Sequence, residues 1–397
     1  MRHAARIGRV GILTVSLGIG AALSSVPGLA LADSPGEPFS LIDQLLTALL
    51  DPGAPTSGLD IQVSINGMDL FPTAGNTATA TSGTGDIAIA IGNGASSQAT
   101  GGPLELAFAN GPNSAADAEA GSVLSLTVAD GSGSHATNGL GSILDTAVAY
   151  GAGSNATDGI GAVGDLTVAH GSGSDASAGS FGFFDTAVAD GTGSHAIAGV
   201  GATLGTAAAF GDNTSALVAA SLGDLATALG ADSSAATAGG GDVLALATAG
   251  GAANAVGVLE LALGNGVNSD ATAGGILGLA FALGSDLKAI DSGILDVASV
   301  VGTNAEADAA SGIADMASVL NFGGAHDLAV AGGTSAGNGN LDIATIIGAG
   351  STASAGSDST ASGSLDLAAV LGNMLDANAT GGNLLLDIAL PFLSLPL

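Results

Sequence analysis

Apolar and polar positions alternate along this chain in short bursts, and most bursts close on a glycine. In Asp145-Thr146-Ala147-Val148-Ala149-Tyr150-Gly151, the residues Asp145, Ala147 and Ala149 share one side of a period-two pattern, and Thr146, Val148 and Tyr150 share the other. The phrase returns as Asp165-Leu166-Thr167-Val168-Ala169-His170-Gly171 and again as Asp185-Thr186-Ala187-Val188-Ala189-Asp190-Gly191. Period two marks a strand, with Leu, Ile, Val and Thr on one face and Asp and Ala on the other. The closing glycines fall 20 residues apart at Gly111, Gly131, Gly151, Gly171, Gly191 and Gly211. A fixed period of this kind marks units too small to bury an apolar face alone, which must stack on their neighbours.

The pattern can be followed from Asp86 to about Asp387 through some sixteen copies. Its acidic position holds Asp86, Glu105, Asp145, Asp165, Asp185 and Asp224, then Glu260, Asp296, Asp315, Asp342, Asp366 and Asp387. Between strands, Gly131-Ser132-Gly133-Ser134-His135-Ala136 is matched at Gly151 and Gly171, where glycine permits tight corners and Ala lets coils approach. The fold expected is all-β, a parallel β-solenoid of the β-roll or β-helix type with coils of about 20 residues. Sixteen coils stacked roughly 4.8 Å apart would make a rod on the order of 75 Å long. The solenoid is placed at 86–382, after an N-terminal cap at 33–85 and before a Leu-rich C-terminal cap at 383–397. Within the first cap, Phe39 to Leu50 has helical spacing with Ser40 as N-cap, and Leu59 to Leu70 reads as a hairpin turning at Asn66-Gly67. After Gly251 the period drifts, and Ala331 to Asn340 is expected to loop out.

Residues 1–32 read as a secretory signal: Arg2, Arg6 and Arg9, an apolar stretch from Val10 to Ala22, then Ala30-Leu31-Ala32 as the cleavage site. Removing them leaves Lys288 alone against 35 acidic residues, a formal charge of −34. Nucleic acid and anionic membrane surfaces are then unsuited as partners, since both are bound through clustered Lys and Arg. With no cysteine, no disulfide staples the exported chain, so stability must come from stacking. The Leu-rich end is broken by Asp387, Pro391 and Pro396, so no transmembrane helix is expected in the mature chain.

The run Ile87-Ala88-Ile89-Ala90-Ile91-Gly92-Asn93-Gly94-Ala95, with its relatives through Gly211, resembles the head repeats of trimeric autotransporter adhesins. That resemblance implies a left-handed parallel β-roll and an adhesive role over roughly residues 86–302. The Gly/Ala-rich, Lys-poor chain behind a signal also looks like exported repeat proteins of mycobacteria and related high-GC actinobacteria. That second likeness implies a secreted or cell-envelope location.

The acidic column carries the most chemistry. Carboxylates stacked in register about 4.8 Å apart repel by roughly 1 kcal/mol per pair in water. Two arrangements offset this. Each carboxylate can accept a backbone N–H at the corner before its strand, a cap that also specifies register. Alternatively Asp145, Asp165 and Asp185 form a ladder of Ca²⁺ sites. The cap is preferred, because the calcium-roll nonapeptide is approached only once, at Gly171-Ser172-Gly173-Ser174-Asp175. The Ala column, represented by Ala147, Ala149, Ala187 and Ala189, serves either tight internal packing or a flat face for lateral self-association.

Three catalytic look-alikes fail on context. Gly159 to Gly164 fits a dinucleotide fingerprint without a following helix pattern, and Gly333 to Gly337 fits a nucleophile elbow with no histidine after it. His135, His170, His195 and His326 lack metal-pair spacing and are expected at solvent-facing positions. A Thr column suited to ice binding is broken at Ser177 and Ile197. The function expected is therefore an exported, non-enzymatic surface or envelope rod, structural or adhesive, partnering itself or an extracellular component. The alternative is an acidic solenoid that folds on calcium after secretion, and a polysaccharide-acting β-helix enzyme ranks third.

Overall fold

The computed structural model describes residues 60–397, apart from 71–75, scattered residues between 200 and 311, the stretches 322–326, 332–338, 357–364 and 381–385, and residues 392 and 397. The chain divides into two compact units, 1–58 and 59–397, and every described residue belongs to the second. The helix expected at Phe39 to Leu50 lies outside the described residues, as do the signal segment and His326.

The second unit is an all-β parallel solenoid with coils of about 20 residues. Each coil gives one strand to each of two long sheets, a 19-stranded sheet and a 16-stranded sheet. The larger sheet exceeds the smaller by the antiparallel strands at its two ends. Register is one-to-one along the stack. Thr146 to Tyr150 pairs with Leu166 to His170, which pairs in turn with Thr186 to Asp190. On the other sheet Ala136, Ala156, Ala176 and Ala196 stand in line. A third line of contact runs along one corner as single bridges, Val123 to Ile143 to Val163 to Phe183 to Thr203.

The alternation seen in the sequence resolves into an inside and an outside, with the smaller residues inside. Ala147, Ala149, Ala169, Ala187, Ala189, Ala207 and Ala209 are wholly buried between the two sheets. Thr146, Val148 and Tyr150 face outward and remain partly exposed. The Ala column is therefore interior packing, and the alternative of a flat Ala surface for lateral association is corrected. Apolar side chains larger than Ala join this core cluster in later coils, as Leu287, Val300, Val319, Ile346 and Val370. After Asp315 the coils lengthen, to 27 residues between Asp315 and Asp342 and 24 between Asp342 and Asp366. The extra chain includes Gly339–Asn340, which pairs in parallel with Gly312–Ile313, while the rest of the expected 331–340 loop is largely undescribed.

Both ends of the larger sheet are closed by antiparallel strands. Ile61–Ile65 lies antiparallel on Ile87–Ile91 and turns back to Met68–Asp69 through Asn66 and Gly67, at φ 53° and 76°. Two successive left-handed residues make the primed turn that hairpin twist favours, so this Asn-Gly signal is realised. At the far end Leu386–Leu390 pairs antiparallel with Leu393–Pro396. An antiparallel strand with Pro in it ends a stack well, because it does not offer a continuing parallel edge. Among the described residues no helix is long and apolar enough to cross a membrane.

One corner sets the closeness of the coils. Gly131, Gly151, Gly171 and Gly191 take φ of 119–139°, and a Cβ on Gly151 would lie 2.4 Å from the carbonyl oxygen of Gly171. Two residues on, Gly153 has φ 66° with nothing within 4 Å of its would-be Cβ. After it, Ser154 donates its hydroxyl to the Gly151 carbonyl at 3.0 Å, as Ser134 does to Gly131. Gly151→Ala is expected to cost at least about 2 kcal/mol in urea unfolding, since strain and a backbone clash act together. Gly153→Asn should cost well under half of that, because Asn tolerates the left-handed region in open space.

Candidate functional site

The feature most able to carry chemistry is the acidic column inside the stack. Each member from Asp86 to Asp366 follows a residue in the left-handed region, such as Leu144 at φ 66° before Asp145, and that reversal turns the carboxylate inward as the strand begins; Asp387 instead pairs with Ala368 within its strand and does not join the column. Asp145, Asp165 and Asp185 are at most 1% exposed. Asp145 Oδ1 accepts the backbone N–H of Asp165 at 2.9 Å, and Asp165 Oδ1 accepts that of Asp185 at 2.9 Å. Asp185 Oδ1 closes the run on the N–H of Gly205 at 3.0 Å. The same bond joins Asp86 to Glu105, Asp315 to Asp342 and Asp342 to Asp366.

The carboxylate is thus a backbone cap, as the sequence suggests, but its donor belongs to the next coil. The corner interrupts the strand ladder, and a buried N–H there needs an acceptor. Glu105, one methylene longer, instead turns onto the N–H groups of Gly101 and Gly102, at 2.7 Å and 3.0 Å, and takes the Ser122 hydroxyl. Asp224, Glu260 and Asp296 lie outside the described residues.

On four of these residues only half of the carboxylate is used. Oδ2 of Asp145, Asp165, Asp185 and Asp342 is buried without a hydrogen-bond partner. Burial pushes the Asp165 carboxyl up to about 7 against the lowering effect of the Asp185 N–H, and the carboxylates of Asp185 and Asp145 push it further. Burial likewise raises Asp185 to about 6, opposed by the Gly205 N–H. Asp145 and Asp342 move in the same direction, also chiefly through burial.

A second polar line crosses the interior and was not singled out in the sequence. Where Thr127 replaces inward-facing Ala, Asn138 reaches across the coil and donates to its hydroxyl at 3.0 Å. Where Thr167 does so, Asp158 is its partner, buried to 1% exposure. Burial raises the Asp158 carboxyl well above its usual range, partly offset by Thr167, and Asp145 and Asp165 add to the rise. The available signal was Thr in the Ala column, since a hydroxyl inside a dry coil needs a partner from the facing strand.

The outer surface carries short ladders at strand ends. Tyr150 stacks on His170 with ring centroids 5.2 Å apart, and His170 Nδ1 lies 2.7 Å from Asp190. Asn155 donates to Asp175 at 3.2 Å, and Asp175 lies 3.8 Å from His195. These histidines face solvent, as expected. Lys288 pairs with Glu306 at 2.6 Å. Gly159 to Gly164 forms a solenoid corner leading into the strand Leu166–His170. Among the described residues, no group of three or more His, Cys, Asp or Glu is arranged to hold a metal ion. The structure brings Asp145, Asp165 and Asp185 into one column but spaces them as successive rungs. Comparison with protein-family models, with curated proteins and with solved structures finds no match for the chain.

The column makes stability depend on pH in a defined direction. Its folded-state carboxyls bind protons more tightly than the unfolded chain does. The stabilisation is complete below the ordinary carboxylate range and is lost as pH rises through about 6 to 7. Thermal melting should therefore fall between pH 5 and pH 8. Asp165→Asn keeps the acceptor for the Asp185 N–H and removes the ionisation, so at pH 8 it should melt above the parent, with a shallower pH dependence. A melting temperature that rises from pH 5 to pH 8 would contradict the raised carboxyls.

Proposed function

We propose that this chain is an exported, non-enzymatic rod of the cell surface or envelope, acting as a structural or adhesive element. The observation that carries the reading is the stack itself. Coil follows coil in register with an interior filled by Ala, and the outward turns recur at one spacing. Such a form suits repeated presentation, in which many weak contacts to an extended partner sum to avidity. The Arg-led apolar segment at residues 1–32 supports export. A single Lys, Lys288, and a single Tyr, Tyr150, after that segment equip the surface poorly for gripping a polysaccharide chain during cleavage.

A second reading rests on the unpartnered Oδ2 atoms of Asp145, Asp165 and Asp185. Calcium entering after secretion would supply them with a positive partner and couple folding to export. The rod reading expects that the chain produced with its own leader is found outside the cell beginning at Asp33, which N-terminal sequencing of the exported protein checks. Retention inside with Met1 intact would overturn export. Circular dichroism melts in EDTA and in millimolar Ca²⁺ should coincide for a self-sufficient rod. Folding only on calcium addition would establish the second reading instead.

A further inference from the structure

The residue before each acidic position from Asp86 to Asp366 adopts the left-handed region, and it is seldom one that favours that region. Leu104, Leu124, Leu144, Phe184 and Leu204 have φ between 57° and 67°, with Leu104 63% and Phe184 61% exposed. Later coils repeat the choice with Leu259, Leu277, Leu295, Leu341 and Leu365. A side chain with a Cβ costs about 1–2 kcal/mol there. At its other corner the same chain meets the same φ cheaply, with Asn113, Gly133, Gly153, Gly173, Gly193 and Asn213. Glycine or asparagine would therefore fold the first corner at lower cost. Large apolar groups held there, facing outward, are retained against local conformational preference, and the solenoid interior gains nothing from them.

These side chains form a continuous ridge, because the single bridges from Val123 to Thr203 hold the corner in register. Phe181 and Phe183 add to it at 66% and 50% exposure. The rings of Phe181 and Phe184 lie along the rod over Gly161 and Gly164, where a Cβ would meet them at 3.0 Å and 2.7 Å. The ridge is nearly free of charge: Glu119 enters it beside Leu124, and none occurs from Gly139 to Leu144, from Gly159 to Gly164 or from Gly179 to Phe184. Outward charge gathers beside the other corner, on Asp130, Asp190 and Asp175.

We infer that this ridge is the contact by which a second copy of the chain packs alongside the first. Between residues 104 and 204 the ridge exposes apolar surface on the order of 1,000 Å², above the few hundred Å² that monomers usually show and near the ~800 Å² per partner of a stable pair. A second copy also matches the ridge in pitch, since both repeat at the coil spacing. With the corners together, the acidic corners point away from the contact, and physiological salt screens what repulsion remains. A two-fold pairing of identical ridges is self-complementary and closed. The pairing does not depend on export or adhesion.

Sedimentation velocity of the full chain at pH 7 and about 150 mM salt tests it, beside a variant carrying Leu124→Asn, Leu144→Asn, Phe184→Asn and Leu204→Asn. Asparagine suits the left-handed region, so the variant should melt no lower than the parent while its self-association weakens at least about tenfold. Should the asparagine variant melt lower, Leu144→Gly with Leu204→Gly gives the same test, glycine being what the chain already carries at Gly164. A parent monomeric up to about 100 µM would overturn the inference, as would a folded variant that associates like the parent. A monomeric parent that floats with phosphatidylcholine vesicles, and a variant that does not, would make a neutral lipid surface the occupant and likewise refute pairing.

Discussion

The closeness of the two sheets across each coil governs everything else in this structure. The two sheets close on a core that is almost entirely Ala, with Leu287, Val300, Val319, Ile346 and Val370 its larger members, while most of the larger aliphatics stand outside. A core of Ala buries little apolar area per residue, roughly one methyl's worth. Cohesion must therefore come from length, from the unbroken hydrogen-bond ladders of two sheets and from dense contact between coils. The glycine corner follows from the same constraint, because Gly151 admits the next coil's carbonyl where any Cβ would exclude it.

Once the interior is that narrow, the corner amides have no strand partner and no water. The column of Asp side chains answers this by reaching one coil along, so a single residue type seals the corner and ties adjacent coils at the same time. The remedy leaves an unpartnered oxygen on Asp145, Asp165, Asp185 and Asp342 and like charges on neighbouring rungs. Raised affinity for protons is the physical outcome. The interior therefore couples the structure to pH through the same groups that fix its register. Asp158 and Thr167 place a further polar pair across the coil.

The surface divides the two corners of the coil by chemistry. One corner uses Gly and Asn for its reversal and is flanked by acidic and imidazole side chains; the other uses Leu and Phe for the same reversal and carries no charge from Gly139 to Leu144, Gly159 to Gly164 or Gly179 to Phe184. A rod with such sides has a direction across its width as well as along its length. That asymmetry suits assembly on one side and presentation on the other, an arrangement that a single coil could not express and that repetition amplifies.

The solenoid was legible in the chain because its signals are periodic. Alternation of period two, glycine every 20 residues and the Asn66-Gly67 turn each report local backbone geometry, and local geometry propagates when every coil rests on an identical one. Which side of the alternation faces inward was not legible. Hydrophobicity alone would bury Val148 and expose Ala147, and only the spacing between facing sheets decides otherwise. The acidic column was visible as a column, and its role as a backbone cap followed from the need for an acceptor at a corner. That its donor lies in the next coil, that half of the Asp145, Asp165 and Asp185 carboxylates is left over, and that the Leu144 column stands outside in a strained conformation all depend on distances between residues 20 apart. Those distances exist only in the stacked structure.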